Sequence, residues 1–212
     1  MLLGILSSPR AGSHLLRGMI NADPLVEDVG SLTPTELNVP APDNASYETM
    51  TTYLSGLEDN YPGKDVMIGF KYGLMFGNAF TEAIDALLDL DGRIILVTRD
   101  DLLAQVASLA LAVSTGAFHT SAPVGSTVQL NVPMMQREMG TLGRDNADMR
   151  ARLSGDAHVE LTYEKLLTQG YVAGAVSGLL GRNITIGPPT TPKSAPALAD
   201  YVTNLDAFGR TS

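Results

Sequence analysis

The sequence contains no cysteine, which excludes disulfides, thiolate metal sites and a cysteine nucleophile. Positive charge is scarce as well. Fourteen Lys and Arg face 23 Asp and Glu, for a formal net charge of -9. That balance excludes wholesale binding to nucleic acid, which needs a broad basic surface. Histidines number three, His14, His119 and His158, too far apart for ligand spacing, so no metal site is expected. Long apolar runs are missing too. The longest candidate, "LLAQVASLALAVSTGAF", carries Gln105 and two serines and reads as a buried helix rather than a membrane span. The opening run, Met1 to Leu6, has no basic region ahead of it and is too short for a signal peptide. A cytoplasmic chain is expected.

What remains is a composition that buries a core. Hydrophobic residues make up 44% and charged residues 17% of 212 positions, with one large domain over 1–212 the expectation. Residues 2–7 are continuously apolar and end in a polar loop, the pattern of a buried parallel strand. "DVMIGFKY" and "RIILVTR" read as two more strands, and "AHVELTYE" as a fourth. Between them lie helical patterns. One runs from a Ser13 cap to about Asn21, and another spans 47–57. "NAFTEAIDALLDL" follows with Asn78 as its cap, then "DDLLAQVASLALAVS" with acids in its first turn. Residues 22–46 hold four prolines and read as an irregular excursion with room for one short strand. Residues 115–127 read as a loop, and 129–154 as a long, partly broken helix. "EKLLTQGYVAGAVSGLLG" holds one or two helices, and the Pro/Thr-rich tail ends in a short one. Strands alternating with helices predict an α/β, doubly wound, mainly parallel sheet flanked by helices. Ligands then bind at the carboxyl ends of the strands. The loop "SSPRAGSH" lies at such an end, as do Lys71 and Arg99.

That loop is over-constrained for a simple turn. Backbone N–H groups at a helix N-terminus, reached through small residues, cradle an anion. Gly12 permits close approach, Ser13 adds a hydroxyl, and Arg10 adds fixed charge. A nucleotide triphosphate loop would read G-x-x-x-x-G-K-[ST]. Here no Lys precedes Ser13, and Gly4 stands eight residues before Gly12 rather than five. The loop suits an anion, not a Mg-bound triphosphate; its plainer reading is a capped strand–turn–helix. Arg99 ends a strand, with Ser108 nine residues on in the helix. If the two strands are neighbours, Arg99 lies beside the loop. Pairing with an acid such as Asp100 is the alternative for Arg99, and simple packing the alternative for Ser108.

"SSPRAGSHLL", "VTRDDLLAQVASL" and "LTYEKLL", in that order, resemble the sulfotransferases that use 3′-phosphoadenosine 5′-phosphosulfate (PAPS), most of all the bacterial type that sulfates trehalose and related glycans. "IGFKYGLMF", "TGAFH" and "PKSAPALADYVTNLDAF" are similar to further segments of that family, so the resemblance spans almost the whole chain. It implies a P-loop-like fold and a PAPS donor, with PAP as product and no metal. It implies that Arg10, Ala11, Gly12, Ser13, His14 and Leu15 hold the 5′-phosphosulfate, and that Arg99 and Ser108 hold the 3′-phosphate. Lys193 would close over the nucleotide. Two departures stand in the loop: Ala11 lacks a hydroxyl, and His14 replaces a hydroxyl residue. His14 either donates to the sulfuryl group or points outward. Tyr163 and Glu164 would support the fold. Lys71 would stabilise transferred charge.

The general base is the open point. One alignment leaves Ser31 where the family has a Glu; another, through "TPTEL", makes Glu36 the base and is preferred. Glu27 and Asp28 are further candidates. The expected partner is a small-molecule or glycan acceptor, and a homodimer is the oligomer the resemblance implies. Two competing functions share the fold: a P-loop kinase of a small molecule, disfavoured by the missing Gly-Lys-[ST], and a non-catalytic nucleotide-binding protein.

Overall fold

A computed structural model describes residues 1–32, 46–72, 79–117, 122–153, 158–189 and 197–210. Five strands form one sheet: β1 (Leu2–Ser7), β2 (Val26–Ser31), β3 (Asp65–Lys71), β4 (Arg93–Thr98) and β5 (His158–Thr162). Their order is β2-β3-β1-β4-β5, and every pairing is parallel. All strand carboxyl ends therefore lie along one edge. From β1 the chain goes first to the border strand β2 and returns to β3 between them. It then crosses to β4 and β5 on the far side of β1, which makes β1 the switch point of the sheet.

Alternation along the strands divides two cores. Leu2 and Leu6 of β1, with Ile68 and Phe70 of β3 and Leu96 of β4, face one side. There they meet α2 (Tyr47–Asn60), α3 (Ala79–Asp89) and Met149 of α5 (Val132–Arg152). Leu3 and Ile5, with Met67, Ile95 and Val97, face the other side. They pack on α1 (Ser13–Ile20) and α7 (Gln169–Leu180), with Leu166 of α6 (Tyr163–Leu166) beside them. Each fully buried Leu or Ile contributes about 1.5–3 kcal/mol. A third cluster joins α4 (Leu102–Thr115) and α5 to the C-terminal segment, which holds α8 (Leu198–Tyr201) and a 3-10 turn at Leu205–Phe208.

Several expectations are corrected. Ser13 does not cap α1; it is the first helical residue, Gly12 stands at the cap, and no side chain bonds there. The helix after residue 129 is unbroken over 21 residues, starts on an Asn131 cap and carries its proline in the first turn, where a missing N–H costs nothing. The one short strand allowed for in 22–46 is present, as β2. The strand read from "AHVELTYE" stops at Thr162, because Tyr163 and Glu164 enter α6. Asn78 lies outside the described residues. Among the described residues no helix is long and apolar enough to cross a membrane, and no cluster of potential metal ligands occurs.

Candidate functional site

The site forms where β1 ends. Ser7 pairs with Lys71 of β3 on one side and with Val97 of β4 on the other. The loop that follows is held from α4: the Gln105 amide nitrogen donates to Ser8 Oγ at 2.9 Å and to the Pro9 carbonyl at 2.7 Å. Gln105 is completely buried. The clamp fixes an unusual backbone. Arg10 sits at φ 62° and Gly12 at φ 103°, both left-handed. Gly12 is needed for space as well as angle. A Cβ there would meet Tyr163 Cδ2 at 2.6 Å and Leu166 Cδ1 at 3.1 Å. The loop is thus wedged between α4 and α6, and it opens α1 with an end no side chain caps. By contrast Asp101 caps α4 through the Ala104 amide and Asn131 caps α5 through that of Met134. First-turn N–H groups lack intrahelical acceptors, so the end of α1 attracts negative charge.

Two arginines meet over this loop. Arg10 Nε donates to Ser108 Oγ at 3.1 Å. Arg99 stacks on Tyr163, its guanidinium carbon 4.4 Å from the ring centroid. The Arg99 side chain is only 9% exposed and lies 3.9 Å from Glu164 Oε1, beyond hydrogen-bond reach. Its Nε is therefore buried without a hydrogen-bond partner. The acid beside Arg99 is Glu164, not Asp100. Glu164 also accepts the backbone amides of Asp100 and Asp101 at 3.2 and 3.3 Å, tying α6 to the start of α4. Burial, and then the charge of Arg99, push the Arg10 guanidinium below its ordinary value. Both effects mark a place where positive charge is gathered and partly withdrawn from water. Tyr201, brought in by the C-terminal segment, completes the surround; burial pushes its phenol up, against the pull of Arg99 and Arg10.

On the β3 side, Lys71 is 8% exposed, and its Nζ lies 3.0 Å from His14 Nε2 on the first turn of α1. Beneath them Arg17 of α1 binds Asp28 and donates to Ser31 Oγ at 2.7 Å. Gly69 of β3 admits that hydroxyl, since a Cβ there would meet Ser31 Oγ at 2.4 Å.

Arg10, Ala11, Gly12, Ser13, His14 and Leu15 thus form the loop and the opening of α1, with Lys71, Arg99 and Ser108 gathered around them. The structure joins what the sequence kept apart: Arg10 and Ser108, expected at opposite ends of one ligand, touch. Glu27 is removed from this group. It pairs with Lys64 at 2.6 Å at the amino end of the sheet. In register it matches Val66, five residues and roughly 16 Å short of Lys71. Asp28 is held by Arg17 and the Gly30 amide. Glu36 and Lys193 lie outside the described residues. Sequence reasoning missed Gln105 and Tyr201. Gln105 had a signal in hindsight, a lone amide inside an apolar helical stretch; Tyr201 had none, because its placement depends on the tail folding back.

No protein-family model matches the chain, and no curated protein is similar to it. Among solved structures it is similar to the sulfotransferase domain of the olefin synthase of Synechococcus PCC 7002. The TM-score is 0.52 at 16% identity, over 99% of this chain and 83% of that one. At that identity the likeness establishes the fold: a parallel sheet with flanking helices, arranged as in a sulfotransferase domain. It does not single out the carbohydrate-sulfating branch.

Proposed function

We propose that the protein transfers a sulfuryl group from PAPS to a hydroxyl of a sugar, glycolipid or small metabolite. One observation supports this reading above the rest: Arg10 and Arg99 converge on the loop after β1, and the buried Arg99 Nε has no acceptor among the described residues. A buried donor of that kind costs about 1–3 kcal/mol unless something accepts from it, and a phosphate oxygen is a fitting acceptor. The loop fits the other end of the same ligand. Backbone donors at an uncapped helix start suit a 5′-phosphosulfate, while the missing Gly-Lys-[ST] speaks against a Mg-bound triphosphate. The likeness in fold to a known sulfotransferase domain adds weight.

When bound, PAPS supplies a sulfuryl group already joined to a good leaving group. The chain's task is then to hold two anionic ends and offset the charge that develops between them. Arg99, Ser108 and Arg10 would hold the 3′-phosphate side, and the N–H groups of residues 11–15 the 5′ side. Lys71 would face the transferred group from β3. Tyr163 keeps Arg99 in place from below, and Gln105 keeps the loop in its left-handed turn. Lys193 is assigned the role of closing over the nucleotide by resemblance alone. The test is calorimetry of PAP binding to the wild type and to Arg99→Ala. Tight binding lost in the variant supports the reading; a folded wild type that does not bind PAP overturns it.

A further inference from the structure

We infer that Tyr201 is a further ligand of the 3′-phosphate, supplied by the C-terminal segment, so that nucleotide binding and the docking of that segment reinforce each other; the inference rests on the sulfuryl-transfer reading above. The segment is anchored on both sides of Tyr201. The Val128 N–H donates to the Tyr201 carbonyl at 2.7 Å, and the Thr203 N–H donates to the Val128 carbonyl at 3.1 Å. Asn204 exchanges two hydrogen bonds with the Leu130 backbone, at 2.9 and 2.8 Å. Arg210 then reaches Asp101, the residue that caps α4, at 2.7 and 3.2 Å. These anchors leave Tyr201 only 6% exposed. Its ring belongs to the cluster of Leu103, Val106 and Ala107 of α4, directly before Ser108.

The ring fills an apolar cluster, but the hydroxyl stands among charges. Burial raises the phenol and outweighs Arg99 and Arg10, which pull it down; Asp101 and Tyr163 add to the rise. The phenol is therefore a neutral O–H at neutral pH. It does not neutralise the two arginines, and it has a proton to donate. Among the described residues its hydroxyl makes no hydrogen bond. Phe would fill the cluster as well, without a buried hydroxyl that lacks a partner. The Arg99 Nε is a second buried donor without an acceptor. Ser108 accepts from Arg10 and keeps its own proton to give. Three donors drawn from positions 99, 108 and 201 suit a phosphate dianion, whose oxygens can accept from all of them. The same segment also disposes of the rival anion. Arg210 occupies the Asp101 carboxylate, so the charge of Arg99 is left for a ligand.

The experiment compares wild type with Tyr201→Phe, which keeps the ring and removes only the hydroxyl. PAP binding is measured by calorimetry. Binding of AMP, which lacks the 3′-phosphate, is measured by competition against PAP. The variant is expected to bind PAP about 10-fold more weakly, the worth of one hydrogen bond to a charged group. Its AMP affinity is expected to stay within about twofold, and its Tm to stay level or rise. A loss of PAP affinity below about threefold overturns the assignment. An equal loss for AMP overturns it too, because the hydroxyl would then act elsewhere in the pocket. Hydrogen exchange in the wild type reads the coupling: PAP is expected to slow the amides of residues 201–204, and exchange that PAP leaves unchanged refutes the docking of the segment with the nucleotide. A folded wild type that does not bind PAP removes the sulfuryl-transfer reading itself, and so separates the two.

Discussion

Gly12→Ala adds one methyl group at the point where the loop, α6 and Arg99 meet. Its cost has two parts. Gly12 has φ 103°, where an L-residue is strained by roughly 1–2 kcal/mol. The new Cβ would also lie 2.6 Å from Tyr163 Cδ2 and 3.1 Å from Leu166 Cδ1. Neither neighbour yields easily. Leu166 is fully buried, and Tyr163 carries Arg99 on its face. Overpacking of this kind costs about 1–3 kcal/mol. The sum, about 2–5 kcal/mol, is a large share of the stability usual for a domain. For a chain of this length it corresponds to a fall of roughly 4–20 °C in Tm. Urea denaturation followed by circular dichroism measures it. The steric part is isolated by a double-mutant cycle with Tyr163→Ala, which removes the ring the methyl group strikes. A coupling of about 1–3 kcal/mol is expected, with the double variant recovering part of the loss. PAP affinity should fall in Gly12→Ala, because moving Tyr163 moves Arg99. A change in stability below about 0.5 kcal/mol, or additive effects in the cycle, would refute the reasoning.

Arg99→Met should separate binding from stability. It forfeits a stacking contact of about 0.5–1 kcal/mol but also removes a buried unpartnered N–H and a repulsion felt by Arg10. Unfolding free energy is expected to stay level or rise by up to about 1 kcal/mol while PAP binding is lost; a drop of more than about 1 kcal/mol in denaturant titrations would make Arg99 a structural residue. Asp23 contributes to acid stability. Burial alone would raise its carboxyl, but the amides of Thr185 and Leu25 and the Arg182 guanidinium outweigh burial and hold it below its ordinary value. A depressed carboxylate contributes fully above the unfolded value of about 3.9, and the contribution is lost as pH falls through the lower folded value. Thermal melts from pH 7 to below pH 3 should show that loss in the wild type. Asp23→Asn should be less stable at neutral pH and less sensitive to acid, and an unchanged acid limb would count against this account.

The parts of the fold legible in the sequence were those whose reasons are local. β1, β3 and β4 are buried on both faces, so their apolar runs announce them. β2 was obscured because Glu27 and Asp28 look like loop residues until Lys64 and Arg17 neutralise them, from 37 and 11 residues away. α5 read as partly broken. In fact it runs unbroken over Val132–Arg152 and packs on α4 through Leu142 and Met135. The site divides along the same line. The loop's residue types speak for an anion by themselves, and the Arg99–Ser108 spacing is helical. That Arg10 reaches Ser108, and that Gln105 grips Ser8, depends on contacts spanning 98 and 97 residues, which no local pattern carries. Lys71 and His14 were each singled out from the sequence, but that they meet depends on β3 lying beside β1.

The irregular end of β2 bears on how copies of this chain meet. β2 borders the described sheet and pairs only with β3 there. Its register shifts between Asp28 and Ser31, and Gly30 within the shift has φ 101°. Bulged, charged borders of this kind are poor templates for another strand. Glu27 and Asp28 put two carboxylates on this border, and Arg17 holds the bulge in place from behind. A second copy could extend the sheet across β2 only by flattening the bulge and breaking the Arg17 contacts. Edge-to-edge aggregation is disfavoured at this border by the same residues that set the floor of the site, so a substitution at Arg17 would loosen both at once.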